Sequence, residues 1–308
     1  MVAVLATEHA TACLSRELHA RVAHQPWPAD YAGLVEQALL PHPPAEHTSP
    51  GIARWAALVL ACASACGHRG EAAEQTAVAA ALLMAALDVF DDVEDGELAP
   101  GVAPEVLVNV GTGLLLLFHQ ACATPSLRAL PSPGLGVLVD AALRACGGQH
   151  RDLSTVADAE TMTPEAAVAI SAAKSASLVA ALCRVGALAG GARGLLLARY
   201  AAFGHHLGMA AQLANDLAAV QEAAGTKTDR ARHRPTLPLV YAVQRPRDPC
   251  ADAESGIAEE ALMATWVVGQ THCLRALSVL AALEQTQCGA RAWLEPFLPE
   301  MTGAHAPG

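Results

Sequence analysis

The segment that most constrains the fold is Ala77-Val78-Ala79-Ala80-Ala81-Leu82-Leu83-Met84-Ala85-Ala86-Leu87, followed by Asp88-Val89-Phe90-Asp91-Asp92-Val93-Glu94-Asp95. From Ala77 to Phe90 the apolar residues fall on every side of a helix, which predicts a helix buried in the middle of a bundle. Hydrophobic residues make up 53% of the chain but aromatic residues only 4%, with the apolar share resting on Ala and Leu. Ala and Leu favour helices, whereas strands draw on β-branched and aromatic residues. No segment alternates with period two between hairpin turns. The expected class is therefore all-α.

Three Pro-rich breaks punctuate the chain: Pro41 to Gly51, Pro125 to Gly134, and Arg245 to Gly256. Each reads as a linker or loop between helices. Thr163-Pro164-Glu165 reads as an N-cap, a first-turn proline and an acid matched to the helix dipole. The economical organisation is a single domain over residues 1–308. In it residues 1–50 are irregular or partly helical, and residues 303–308 form a disordered tail.

The formal net charge of −11 argues against nucleic acid as a partner. An acidic chain that handles a polyanion needs metal ions or a local cationic pocket. The nine cysteines are scattered without CxxC pairs and read as buried thiols of a reducing compartment. No basic n-region opens the chain, and Glu8 and His9 interrupt the first apolar run. The stretch Ala77 to Leu87 falls short of the roughly 20 residues that a bilayer span needs. A soluble, cytoplasmic protein with no stable membrane span is expected.

At about 100° per residue, Asp88, Asp91, Asp92 and Asp95 fall within roughly 100° of arc. Like charges crowded at the end of an apolar helix are driven towards protonation unless a cation compensates them. Mg²⁺ is usually held by one or two carboxylates together with water and substrate phosphates. The competing reading is a solvated acidic helix end beside Gly96 and Pro100.

On a second predicted helix, Gly208, Ala211, Gln212, Asn215, Asp216 and Ala219 span roughly 140° of arc. Either Gln212, Asn215 and Asp216 face metal or water there, or the stripe is close packing through small residues. Downstream, Lys227, Arg230, Arg232, His233 and Arg234 form the densest cationic stretch of the chain. Lys174 sits mid-helix among Ala and Ser, where an ammonium must reach solvent or an anion.

These residues, in this order, resemble the trans-isoprenyl diphosphate synthase (polyprenyl synthetase) family and its class I terpene synthase relatives. Asp91-Asp92-Val93-Glu94-Asp95 is similar to the family's first aspartate-rich motif. Gly148-Gln149 with Asp152-Leu153 resembles its GQ..DL segment, and Lys174-Ser175-Ala176 its KTA segment. Gly204 through Gln212-Leu213-Ala214-Asn215-Asp216 resembles the run into the second aspartate-rich motif. Lys227, Asp229 and Arg234-Pro235-Thr236-Leu237-Pro238 resemble the closing block. The match runs from about Ala77 to Ala242.

The resemblance implies an antiparallel helical bundle around a deep central cavity, the isoprenoid synthase fold. It implies Mg²⁺ at Asp91, Asp92 and Asp95, with Asn215 and Asp216 as a weaker opposing site. It gives Lys174 and Lys227, with Asp91 and Asp92, the catalytic roles. Gln149, Gln212 and Arg234 join the lysines in substrate binding, and Leu87, Met84 and Phe90 line the prenyl tail. The implied substrate is an allylic prenyl diphosphate of farnesyl length or longer, and the implied assembly a homodimer.

The departures from the family are as informative. Chain-elongating synthases carry a GGKRxRP segment whose cations hold isopentenyl diphosphate. Here the comparable region reads Ser49-Pro50-Gly51-Ile52-Ala53-Arg54-Trp55. After the first motif they carry Arg-Arg-Gly, where this chain has Gly96-Glu97-Leu98-Ala99-Pro100-Gly101. Ala219 cannot complete a second DDxxD, and Ala219 and Ala223 replace the Ser and Glu of the terpene synthase pattern. Counter-charges for a second diphosphate are thus missing. The leading expectation is ionisation of one prenyl diphosphate followed by cyclisation or elimination. Prenyl transfer to another acceptor, conventional elongation, and a non-catalytic subunit of a heteromeric synthase follow in that order.

Overall fold

A computed structural model describes residues 2–39, 52–68, 70–96, 98, 101–155, 161–225, 236–244 and 259–299. Among the described residues every regular element is helical. In chain order they are α1 (Val2–Ala23), α2 (Ala29–Leu39), α3 (Ile52–Ala65), α4 (Glu71–Asp95), α5 (Pro104–Cys122), α6 (Pro125–Arg128), α7 (Gly136–Ser154) and α8 (Pro164–Ser171). A π-helical turn (Ala172–Ala176) then leads into α9 (Ser177–Ala189), α10 (Leu195–Gly225), α11 (Leu237–Val243), α12 (Glu259–Glu284) and α13 (Ala290–Leu294). The expected all-α class is what the chain adopts. Residues packing together divide it into two compact units, one of Met1–Val139, Leu182–Tyr200 and Leu283–Pro296, the other of Asp140–Ala181, Ala201–Ala282 and Phe297–Gly308.

The first unit is organised by α4, whose residues Thr76 to Ala86 are buried without a break. Its all-round apolar sequence is satisfied because α3 and α5 pack on it from different sides, with α1 and α2 adding further cover. Polar ties fix the register at the rim. Arg21 donates to Gln75 Oε1 at 2.5 Å, and the Tyr31 hydroxyl donates to the Asn109 carbonyl at 2.8 Å. The Pro125–Gly134 break, expected to be a loop, contains the single turn α6, because Pro125 takes the first helical position where its missing N–H costs nothing.

The second unit has its own core, formed by Met162, Ala167, Ala176, Met209, Leu213, Leu237 and Val240. Thr163 caps α8 as its sequence predicts: its hydroxyl accepts from the Ala166 N–H at 3.2 Å, with Pro164 behind it. Two helices press on the π turn from different directions. A Cβ at Gly148 of α7 would lie 2.7 Å from the backbone N of Lys174, and one at Gly208 of α10 would lie 2.8 Å from Ala176 Cα. Only glycine lets backbone approach backbone this closely.

Length and composition single out more than the Ala77 to Leu87 run. Three helical stretches, Pro104–Cys122, Pro164–Ala189 and Glu259–Glu284, are long and apolar enough to cross a bilayer by length and composition. Polar residues interrupt each apolar run: Asn109, Thr112, His119 and Gln120 in the first, Lys174, Arg184 and serines in the second, and Thr265, Gln270, Thr271 and His272 in the third. In α5 one face, with Val110, Leu114, Leu117 and Phe118, is buried, while Val108 and Leu116 are exposed.

The neighbouring glycines of α7 give a paired prediction. Gly147 has open space where a Cβ would sit, and Gly148 does not. Gly147→Ala should stabilise the protein by about 0.5–1 kcal/mol through helix propensity. Gly148→Ala should lose about 1–3 kcal/mol to overpacking, less that gain. Urea denaturation of both variants checks this; equal effects at the two positions would show that the π turn is not held by α7.

Candidate active site

The C-terminal pole of α4 carries Asp88, Asp91, Asp92 and Asp95, and Gly96 closes the helix in a left-handed conformation with its N–H on the Asp92 and Val93 carbonyls. A helix C-terminus bears partial negative charge, so acids there work against the dipole. The last turn of α4 holds no base to offset them. Asp91, Asp92 and Asp95 are half-buried, and one oxygen of Asp95 is shielded from solvent. Asp88 keeps solvent contact, yet the protein packed around its carboxyl, together with the charges of Asp92 and Asp91, pushes it up to about 7. Within α4 itself the acids of this last turn have no basic residue to offset them. Their donors are all carboxylate oxygens, the chemistry that suits a hard divalent cation such as Mg²⁺.

Below the carboxylates along α4, Leu87 is half-buried, and Met84, Leu83 and Ala80 are buried. The ring of Phe90 lies over α5, where a Cβ on Gly111 would come within 2.8 Å of it. Phe90 is roughly 150° round the helix from the centre of the acidic arc, so α4–α5 packing accounts for its position. Arg54, on α3, is half-buried, and desolvation lowers its pKa. Arg54 therefore stands in the same compact unit as the acidic motif.

In the second unit, Lys174 occupies the centre of the π turn. Such turns insert one extra residue into a helix and recur at functional sites. The sequence reading placed Lys174 in an ordinary helix that must carry its ammonium to solvent or an anion. Its Nζ lies 3.4 Å from Asp152 Oδ2 on α7, and both side chains are 19% exposed, so the partner is an internal carboxylate. The next residue, Ser175, donates to Gln212 Oε1 at 2.5 Å, and Gln212 Nε2 donates to Asp216 Oδ1 at 2.8 Å. This chain of hydrogen bonds fixes the Asp216 carboxyl on α10. Asp216 is buried, and desolvation raises its pKa to about 6; Gln212 and Lys174 act in the opposite sense and Asp152 in the same one.

Gln149 and Asn215 are half-buried, and Gln149 Oε1 is shielded from solvent. The structure thus brings Lys174, Gln212 and Asp216 together in one unit. Lys227 and Arg234 lie outside the described residues. Asp152 and Ser175 join this network although the sequence reading gave neither a site role. Asp152 had a usable signal, since it follows Gln149 by three residues and so shares its helix face. What the arrangement offers is a lysine held by Asp152 and a buried carboxyl, Asp216, raised to about 6, a set that gains from either a cation or an anion bound beside Lys174.

The sequence profile of the polyprenyl synthetase family matches residues 46–260. The chain is 32% identical over 203 residues to a geranylgeranyl diphosphate synthase of Mycobacterium tuberculosis, a match covering 61% of this chain and 57% of that protein's length. It is 29% identical over 255 residues to a (2E,6E)-farnesyl diphosphate synthase of Mycobacterium bovis, covering 77% of this chain and 67% of that one. Among solved structures, a decaprenyl diphosphate synthase from Rhodobacter capsulatus superposes with a TM-score of 0.74 at 20% identity, over 97% of this chain and 99% of that one. A polyprenyl synthase from Caulobacter crescentus, solved with calcium and isoprenyl diphosphate, gives 0.76 at 22% identity, over 96% and 95%. At these identities the structural likeness establishes the fold, the all-α isoprenoid synthase fold. With its profile match spanning most of the sequence, the chain belongs to the polyprenyl synthetase family of enzymes.

Proposed function

We propose that this chain is a Mg²⁺-dependent prenyltransferase that extends an allylic prenyl diphosphate. The observation that carries the reading is the acidic set of α4, placed at the negative pole of its own helix, whose last turn contains no base. The relatives reported above are named as prenyl diphosphate synthases, and this moves prenyl transfer ahead of the cyclisation ranked first from sequence.

Asp91, Asp92 and Asp95 would hold the cation, with Asp88 behind them and Asn215 and Asp216 as a second, weaker set. When bound, Mg²⁺ neutralises diphosphate charge and eases departure of the leaving group. Lys174, Lys227 and Arg234 donate to diphosphate oxygens, Lys174 exchanging its contact with Asp152 for the substrate. Gln212 keeps Asp216 oriented, and Gln149 serves substrate binding. Leu87 and Met84 offer apolar surface to the tail and exclude water from the cation. The allylic C–O bond breaks with its electron pair on the leaving diphosphate, and the acceptor's double bond supplies the pair for the new C–C bond. A proton then leaves the acceptor to restore an alkene.

Arg54 would supply charge for the second diphosphate. A second reading, ionisation of one diphosphate without an acceptor, is favoured by Gly96 to Gly101, which holds no base where elongating enzymes have two. A homodimer suits the exposed Val108 and Leu116 of α5, and a reducing cytoplasm suits the buried thiols Cys62 and Cys183.

Purified protein with Mg²⁺ and farnesyl diphosphate should yield longer diphosphates only when isopentenyl diphosphate is added, as read by mass spectrometry. Hydrocarbon or alcohol formed without it would replace this reading with the second. Absence of turnover with farnesyl or geranylgeranyl donor would overturn both. Asp92→Ala should lower kcat on the order of 10²–10³-fold, and wild-type rates in that variant would remove the metal assignment. Arg54→Gln should raise KM for isopentenyl diphosphate about 10-fold or more, leaving KM for the allylic donor unchanged.

The Asp88 carboxyl gives a pH prediction. Its ordinary value is 3.8 and its folded value about 7, so folding favours the protonated form. Its contribution is complete below pH 3.8 and is lost as pH rises towards 7. Metal-free wild type should therefore lose thermal stability relative to Asp88→Asn over that interval, and Mg²⁺ should narrow the gap. Parallel melting curves across the range would disprove the shift.

A further inference from the structure

Two turns before Gln212 on α10, His205 and His206 meet His272 of α12 within the second unit. The three ring centroids stand 5.3, 6.1 and 5.2 Å apart, at interplanar angles between 55° and 66°. One ligand atom from each residue lies within 4.8 Å of the other two, and the Nδ1 atoms of His206 and His272 are 3.1 Å apart. His272 is only 8% exposed, and the other two are half-buried. None of the three has a part in the prenyl transfer described above.

The bland alternative is that three imidazoles pack edge against face. Their chemistry argues for more. Desolvation lowers the pKa of each ring, and that of His272 is lowered to about 4, first by burial and then by His206, His205 and Arg275. All three are therefore neutral at physiological pH, each with one lone pair, and a lone pair is what a metal takes. A tetrahedral centre with metal–nitrogen bonds of about 2.0–2.1 Å places its ligand nitrogens about 3.4 Å apart. Closing the widest gap here needs a shift of about 1.4 Å, within the reach of side-chain rotation. An all-imidazole set favours Zn²⁺, Cu²⁺ or Ni²⁺ and is a poor match for Mg²⁺. It is thus chemically distinct from the carboxylate set of α4.

The geometry points to a second metal site, in which His205, His206 and His272 bind Zn²⁺ or a similar imidazole-seeking divalent cation and clamp α10 to α12. The fourth position is left for water or an exogenous ligand, the three-ligand pattern of open zinc sites. Because α10 also carries Gln212 and Asp216, the clamp steadies the helix that presents them. Arg275 sets a limit on affinity, since the charge that disfavours a proton on His206 and His272 also disfavours a metal.

The test is a thermal melt and a spectroscopic titration of the full chain after chelator treatment, with Mg²⁺ kept saturating so that carboxylate sites are occupied. Zn²⁺ should raise the melting temperature with a saturable dependence. Co²⁺ should give the visible absorption of a tetrahedral nitrogen-ligated ion without a thiolate charge-transfer band, which excludes Cys273 as the ligand. His205→Ala, at a half-exposed ring that the fold tolerates, should weaken Zn²⁺ binding at least about 10-fold; His205→Ala/His272→Ala should abolish it. Arg275→Gln should tighten it severalfold. A Zn²⁺ response unchanged in His205→Ala, a thiolate band with Co²⁺, or no saturable response in wild type would each overturn the proposal.

Discussion

Four carboxylates at the negative end of α4 set the terms for this molecule. All four work against the helix dipole, and the charge of Asp88 is further disfavoured by the protein packed around it and by Asp92 and Asp91. The helix cannot move away from the problem, because Thr76 to Ala86 are buried on every side and α3 and α5 grip it. The core thus supplies the free energy that holds an unfavourable charge distribution in place. Strain of this kind is relieved by a bound cation and persists in natural sequences mostly where binding is the purpose.

The second unit follows a different logic. There the charges are already paired, Lys174 with Asp152, and the carboxyl of Asp216 is steadied by Gln212 and Ser175. Such a network is prepared for ligand exchange rather than for ion capture: it holds the lysine in a defined position by a contact at 3.4 Å that a stronger anion can replace. The two units therefore contribute distinct electrostatics, crowded carboxylates on one helix end in one and a lysine–carboxylate pair in the other.

How much was legible in the sequence depended on whether the signal was local. The buried α4, the Thr163 cap and the acidic arc are all written in residues a few positions apart, where helical periodicity decides the outcome. Phe90, expected beside the prenyl tail, instead lies over α5, where its angle round the helix sends it away from the carboxylates. The π turn was not legible, because Ala172-Ala173-Lys174-Ser175-Ala176 are ordinary helix residues and only tertiary packing selects the extra residue. The imidazole cluster was hidden for the same reason, as His272 lies 66 positions from His206 and only the packing of α12 on α10 joins them. The apolar faces of α5 and α12 escaped notice because their polar residues interrupt the run without changing the overall composition.

The π turn also has a meaning for how this chain tolerates change in length. A π turn is an α-helix with one residue too many, so the stretch stores a spare register position. Deleting any one of Ala172, Ala173 or Ser175 lets the segment relax to α geometry while the helix on either side keeps its register, so the change is confined to the turn itself. A one-residue deletion here is therefore milder for the fold than one in a plain α-helix, which turns everything beyond it by about 100°. It changes the heading of an ammonium group while leaving the helix intact, a route by which a relative could lose activity and keep its fold.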